Sequence, residues 1–256
     1  MSFGLHPATA MAFVAGGLVV ALASGLALGF GLRLFAPARV WWAQGLLVGG
    51  LGFALGNVLG VVGALVLGAP LRLDPAALLT GPWLVGGTLG TGCGTLAAIV
   101  AAAVGGSLRL GGWPGWRWAL AGVPAAVGVM AVAAGYALGL DALGFSPEAQ
   151  NLATALATEA GWVRGVVLVF VIGVAPLTEE AFFRGWLQPL LRERFGARRA
   201  LVAQALIFGA IHTDRLWAVP PLVLIGFACG WLRERSGSVL PGWVLHVLNN
   251  STAAAM

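Results

Sequence analysis

Lysine is absent from this chain, and ionisable side chains of every kind are scarce. Charged residues fill only 9% of the 256 positions, whereas hydrophobic residues fill 59%. A soluble domain carries about 25% charged residues, so a water-exposed surface of ordinary composition is excluded. With a mean hydropathy of +0.94 the chain reads as an integral membrane protein. Cysteine is nearly missing too: Cys93 and Cys229 sit in separate apolar segments without CxxC spacing, as small packing residues do. No GxxxxGK[ST] phosphate loop occurs, nor an HExxH zinc-protease helix, nor a GxSxG nucleophile elbow. The formal charge of +5 has no basic patch or aromatic-basic stretch behind it, so nucleic acid is excluded as a partner. The N-terminus lacks the basic region of a cleaved signal, and residues 8–32 are expected to remain as a membrane span. The longest polar stretch, 141–160, is too short for a soluble domain.

What is abundant fits a bilayer. The 40 glycines and 11 tryptophans match the small-residue interfaces and aromatic belts of membrane helices. Apolar segments fall at 8–32, 44–68, 82–106, 118–139, 162–191, 198–213, 217–232 and 239–255. About 20 helical residues cross the hydrocarbon core, which the first four segments satisfy. The fifth is long and contains Pro176, so a bent helix or two joined half-helices is expected there. The sixth and seventh are short enough to be enclosed by protein or not to span fully. The fold expected is all-α and polytopic, with about eight transmembrane helices. Its parts are N-terminal helices over 1–158 and a core over 159–256.

Arginine placement orients the helices. With the termini outside, the inward loops hold Arg33, Arg39, Arg109, Arg117, Arg192, Arg194, Arg198, Arg199, Arg233 and Arg235. The outward loops hold only Arg72, Arg164 and Arg215, and one of them is acidic, with Asp141, Glu148 and Glu159. The positive-inside rule therefore predicts a multi-pass protein of the cell membrane with both termini extracytoplasmic.

Against this background the stretch APLTEEAFFRGWLQ, residues 175–188, is out of character: Glu179, Glu180 and Arg184 fall within six consecutive positions. On a helix Glu180 and Arg184 stand one turn apart, acid first, the favourable order for an ion pair. Glu179 lies about 100° round the helix and has no such local partner. Downstream, LIFGAIHTD places Phe208 and His212 four apart, and GWVLHVLNNS does the same for His246 and Asn250. Counted from the arginine loops at about 1.5 Å per residue, Glu179 and His212 lie up to about 20 Å deep. His246 and Asn250 lie at about 16 and 22 Å on the same measure. Intramembrane ionisable groups are costly and usually functional, and these four can meet at one level. A carboxylate and an imidazole can take a proton from water to make it a nucleophile, while an imidazole and an amide can donate to an oxyanion. Peptide-bond hydrolysis needs both. Glu179, His212 and His246 are also ligand types that zinc accepts, so a zinc-dependent version stays open beside a metal-free one.

The ordered set EExxxR (Glu179, Glu180, Arg184), FxxxH (Phe208, His212) and HxxxN (His246, Asn250) resembles the CPBP intramembrane proteases. That group includes type II CAAX prenyl endopeptidases and bacteriocin-processing and immunity relatives. Phe183, Arg184 and Gly185 form the FRG typical of it. The resemblance covers residues 160–256. It implies an all-helical fold with the site in an intramembrane cavity. Glu179 and His212 would activate water, His246 and Asn250 would form the oxyanion hole, and Glu180 and Arg184 would shape the site. The substrate implied is a peptide or protein reached through the membrane, with membrane lipids as surroundings. Two other readings compete: a non-proteolytic scaffold or immunity protein of the same fold, and a proton-coupled transporter. The intact set of four polar residues counts against the first. The lack of inverted halves with matching broken helices counts against the second.

Overall fold

The computed structural model describes residues 7–35, 41–69, 81–145, 161–212 and 216–255. The acidic stretch 146–160, with Glu148 and Glu159, lies outside them, as do Arg39, Arg72 and Arg215. The fold is all-α, and no strand occurs among the described residues. The helices are α1 (Pro7–Phe35), α2 (Trp41–Val66), α3 (Gly81–Val104), α4 (Trp116–Ala142), α5 (Gly161–Val169), α6 (Ala175–Phe182), α7 (Gln188–Phe195), α8 (Ala197–Ala210), α9 (Val219–Ser236) and α10 (Leu240–Ala255). Six candidate spans are long and apolar enough to cross a membrane, among them Gly161–Phe195 and Leu216–Ser236. All eight apolar segments of the sequence are helical, but α8 has 14 residues and α10 has 16, fewer than a bilayer crossing takes. By length and composition the described residues hold six candidate spans, so the expected count of about eight is not confirmed.

Gly161–Phe195 contains two π-helical turns, Phe170–Val174 and Phe183–Leu187. Each is followed two residues later by a proline, Pro176 and Pro189. Proline has no N–H to return to the carbonyl four residues back, and a π-turn is one way a helix absorbs such an interruption. The expected bend at Pro176 thus takes the form of a widened turn. The second π-turn has a structural consequence of its own. Gln188 N–H donates to Phe183, five residues back, and so passes over the Arg184 carbonyl. Pro189 cannot serve the Gly185 carbonyl. Both orphaned acceptors are taken from outside the helix: Arg233 Nε donates to Arg184 O at 3.2 Å, and Arg109 N–H donates to Gly185 O at 2.6 Å.

The chain divides into two compact units, one of residues 1–108, 150–178 and 256, the other of 109–149 and 179–255. In the first, α1 and α2 pack on α3. Glycines at 52, 56 and 60 on α2 meet glycines at 86, 90 and 94 on α3, the i, i+4 small-residue spacing of close membrane-helix contacts. A side chain at Gly90 would run into the backbone of Gly60. A smaller apolar cluster joins Leu67 and Val85 to Val163 and Val167.

In the second unit, α4, α8, α9 and α10 surround a core of Ala126, Val129, Phe183, Phe208, Ile225, Cys229, Leu232 and Leu245. Both cysteines are free and buried, and Cys229 belongs to this core. Three arginine-bearing connections meet at one end of the unit. Arg233 Nη2 donates to Arg109 O at 2.6 Å, Val239 N–H donates to Leu110 O at 3.0 Å, and Arg192 faces Glu234 at 3.5 Å. The connections before α4, after α7 and after α9 therefore share a side of this unit.

Candidate active site

All of the polar residues singled out in the sequence belong to the second unit. Glu179 and Glu180 come from α6, Arg184 from the π-turn that follows, Phe208 from α8, and His246 and Asn250 from α10. His212 is not on a helix. α8 ends at Ala210, and His212 lies in the turn beyond it. Its Nδ1 is 2.7 Å from the Phe208 carbonyl, one of the acceptors a helix end leaves without an intrahelical donor. A carbonyl can only accept, so Nδ1 carries the proton of this bond. In the neutral ring Nε2 then keeps its lone pair.

The ion pair expected between Glu180 and Arg184 is formed, with Oε1 and Nη1 2.8 Å apart and both side chains at 0% exposure. Its surroundings are polar where they must be. Arg184 Nη2 donates to the Gly226 carbonyl at 3.0 Å, and the guanidinium lies over the Phe208 ring at 4.7 Å, a cation–π distance. Gly242 leaves room for the Glu180 carboxylate, since a methyl there would sit 2.6 Å from Oε2.

Glu179 has no partner on its own helix, as its position round the helix implies, but it has one across the fold. His246 Nε2 lies 3.7 Å from Glu179 Oε2, and His246 Nδ1 lies 3.5 Å from Glu180 Oε1. The imidazole sits between two neighbouring carboxylates, which reach it from different sides because they leave the helix about 100° apart. The glutamates differ in access to solvent: the Glu179 side chain is 26% exposed and that of Glu180 is 0%. Glu179 Oε2, Glu180 Oε2 and His246 Nδ1 make no hydrogen bond with a described residue. Phe208 connects the second histidine. Its ring lies 5.0 Å from that of His212 and 5.7 Å, edge-on, from that of His246. Asn250 follows His246 by one turn of α10, and Asn249 Nδ2 donates to Asn250 Oδ1 at 3.3 Å.

Two buried glutamines, Gln188 and Gln204, were not singled out in the sequence, and Gln204 supports the ion pair. Gln204, at 0% exposure, donates through Nε2 to Gly226 O at 2.9 Å, so one carbonyl accepts from both Gln204 and Arg184. Gln188 donates to Gly230 O at 3.1 Å and to Glu234 Oε1 at 2.9 Å. A sequence signal for both exists. Gln188 continues the ladder Glu180, Arg184, and Gln204 precedes Phe208 and His212, each at four-residue spacing.

Glu179, His212 and His246 are side-chain types that zinc accepts. As arranged here, no three His, Cys, Asp or Glu side chains among the described residues converge as a metal site requires. The three named residues do not fit a zinc cage in this geometry.

A family model described as type II CAAX prenyl endopeptidase, Rce1-like, matches residues 160–252. No curated protein and no solved structure matches the chain.

Proposed function

We propose that this chain hydrolyses peptide bonds within the membrane through Glu179, His212, His246 and Asn250, a reading supported by the match of residues 160–252 to the Rce1-like type II CAAX prenyl endopeptidases, of the CPBP intramembrane protease family. The observation that carries the reading is His246 lying between the carboxylates of Glu179 and Glu180, 3.7 and 3.5 Å away. Each ring nitrogen of His246 faces a carboxylate oxygen, so a nitrogen that carries the ring proton is turned toward an acidic group. His246 is thus suited to be a donor, the role an oxyanion requires. His212 is suited to the opposite role. Its Nδ1 proton is committed to Phe208 O, which leaves Nε2 of the neutral ring as an acceptor for a proton of water.

Glu179 is the base in this scheme, being the glutamate with solvent access. It takes the proton of a water that His212 helps orient, and the resulting hydroxide adds to the scissile carbonyl. The tetrahedral oxyanion accepts hydrogen bonds from His246 and from the Asn250 amide. As the intermediate collapses, Glu179 returns the proton to the leaving amine. Glu180, paired with Arg184, stands on one side of the His246 ring and takes no part in the proton transfers. No step is routed through a metal.

The substrate class follows the family: a membrane-associated peptide or protein of CAAX type, with bacteriocin-like peptides as a further class. The arginine-bearing loops face the cytoplasm and both termini the outside. The reading is tested by labelling new N-termini in membranes from cells that make either the wild-type protein or Glu179→Gln at equal abundance. New termini present only with the wild type support proteolysis, and identical termini in the two membranes exclude it.

A further inference from the structure

At the end of the second unit where the three arginine-bearing connections meet, the surface opens into a cleft of about 490 Å³. It is lined by Arg109, Gln188, Arg192, Glu193, Arg233 and Glu234, and the scheme of hydrolysis uses none of these side chains. Its volume lies in the range of about 300–1,000 Å³ typical of small-ligand sites. The lining carries three guanidinium groups against two carboxylates, a surplus of one positive charge. Glu234 is already engaged by Gln188 at 2.9 Å and Arg192 at 3.5 Å. Arg233 spends Nε and Nη2 on the carbonyls of Arg184 and Arg109, which fixes its position, while Nη1 makes no hydrogen bond with a described residue. Arg192 makes the single contact with Glu234 and is otherwise 59% exposed. An acceptor lines the cleft as well. Glu193 is exposed and has no ion pair among the described residues.

We propose that this cleft binds the phosphodiester headgroup of an anionic membrane phospholipid, one whose headgroup also carries hydroxyls. A phosphodiester bears one negative charge and so neutralises the surplus of the lining. Its unesterified oxygens accept from Arg192 and Arg233 in the fork geometry that guanidinium groups favour. The hydroxyls of a glycerol headgroup donate to the exposed Glu193 carboxylate. The location agrees with this ligand. The cleft lies at the end of the unit where arginines gather, and basic pockets between membrane helices are recurrent headgroup sites.

The test reads binding, not turnover, so its outcome is independent of the proteolytic reading. The purified full-length protein in detergent is titrated with dioleoylphosphatidylglycerol, dioleoylphosphatidylcholine or inorganic phosphate, and bound lipid is counted by native mass spectrometry. One phosphatidylglycerol should be retained per chain, at least about tenfold more tightly than phosphatidylcholine. Arg192→Gln should weaken it by about tenfold or more, with an unchanged melting temperature because the side chain is largely exposed. Arg198→Gln removes an exposed arginine that does not line the cleft, and should change binding by no more than about twofold. Equal binding of the two lipids overturns the proposal, and so does equal weakening by the two arginine variants, the mark of diffuse surface charge. Displacement of the lipid by millimolar inorganic phosphate also overturns it, by making the site one for a soluble anion.

Discussion

His246 Nε2 stands 3.7 Å from Glu179 Oε2, a contact between residues 67 positions apart that no helical spacing foretells. The distance is too long for a direct hydrogen bond. That carboxylate oxygen makes no hydrogen bond with a described residue, while the Glu179 side chain as a whole is 26% exposed. Glu180, by contrast, is closed off against Arg184. The predictions below follow from this inequality and from the groups around it.

The two glutamates should fail differently. Glu179→Gln is expected to abolish turnover while the thermal unfolding midpoint in detergent stays within a few degrees of wild type. Glu180→Gln leaves a fully buried guanidinium without its counter-charge, a change that costs about 3–5 kcal/mol. It should therefore lower the unfolding midpoint clearly as well as the activity. Wild-type turnover by a folded Glu179→Gln protein would remove that residue from the chemistry.

Gln204 is expected to matter for stability although it touches no reacting group. Gln204→Leu removes a buried donor to Gly226 O and leaves that carbonyl to Arg184 alone. Loss of such a bond in a buried setting costs about 1–3 kcal/mol. Chemical or thermal unfolding in detergent measures it, and an unchanged midpoint would show that Arg184 suffices.

Stripping metal should leave the activity in place. After exhaustive dialysis against a chelator, with residual zinc measured by elemental analysis, peptide hydrolysis is expected to persist at the starting rate. Stoichiometric zinc whose removal abolishes activity and whose return restores it would require Glu179, His212 and His246 to rearrange into a ligand set.

On α10 the consequences should be steep at one position and shallow at its neighbour. Asn250→Ala is expected to lower kcat by about 10²–10³ with little change in KM, because an oxyanion donor acts in the transition state. Asn249 holds Asn250 through a single hydrogen bond of 3.3 Å. A neutral bond of that kind is worth about 0.5–1.5 kcal/mol, so Asn249→Ala should cost no more than about tenfold. Steady-state kinetics of the two variants decide the matter, and the reverse order would displace the proposed oxyanion hole.

Orientation is open to direct measurement. Cysteine introduced at Leu143, exposed beyond α4, should react with an impermeant maleimide in intact cells. Cysteine at Arg198 should react only after permeabilisation, and the native Cys93 and Cys229 are buried and should stay silent. Reaction of both introduced positions from outside, or of neither, would overturn the arginine-based topology.

Periodicity and composition sufficed for the helices. Apolar runs of bilayer length can satisfy their backbone only as helices, and all eight runs are helical. The Glu180–Arg184 pair was legible too, because both partners lie on one helix and four-residue spacing decides whether they meet. What lay beyond the sequence depends on contacts between helices. Only packing decided that His246 enters between Glu179 and Glu180, that Gly226 O serves both Arg184 and Gln204, and that Phe208 touches both histidine rings. The α8 boundary belongs there as well: apolar character runs on through Ile211, yet the helix stops at Ala210 and the His212 ring turns back to the carbonyl of Phe208. The second π-turn belongs there most clearly. Pro189 warned of an unpaired carbonyl at Gly185, but nothing local indicated that Arg109 would supply the donor, because a hydrogen bond between residues 76 positions apart is made by tertiary structure alone.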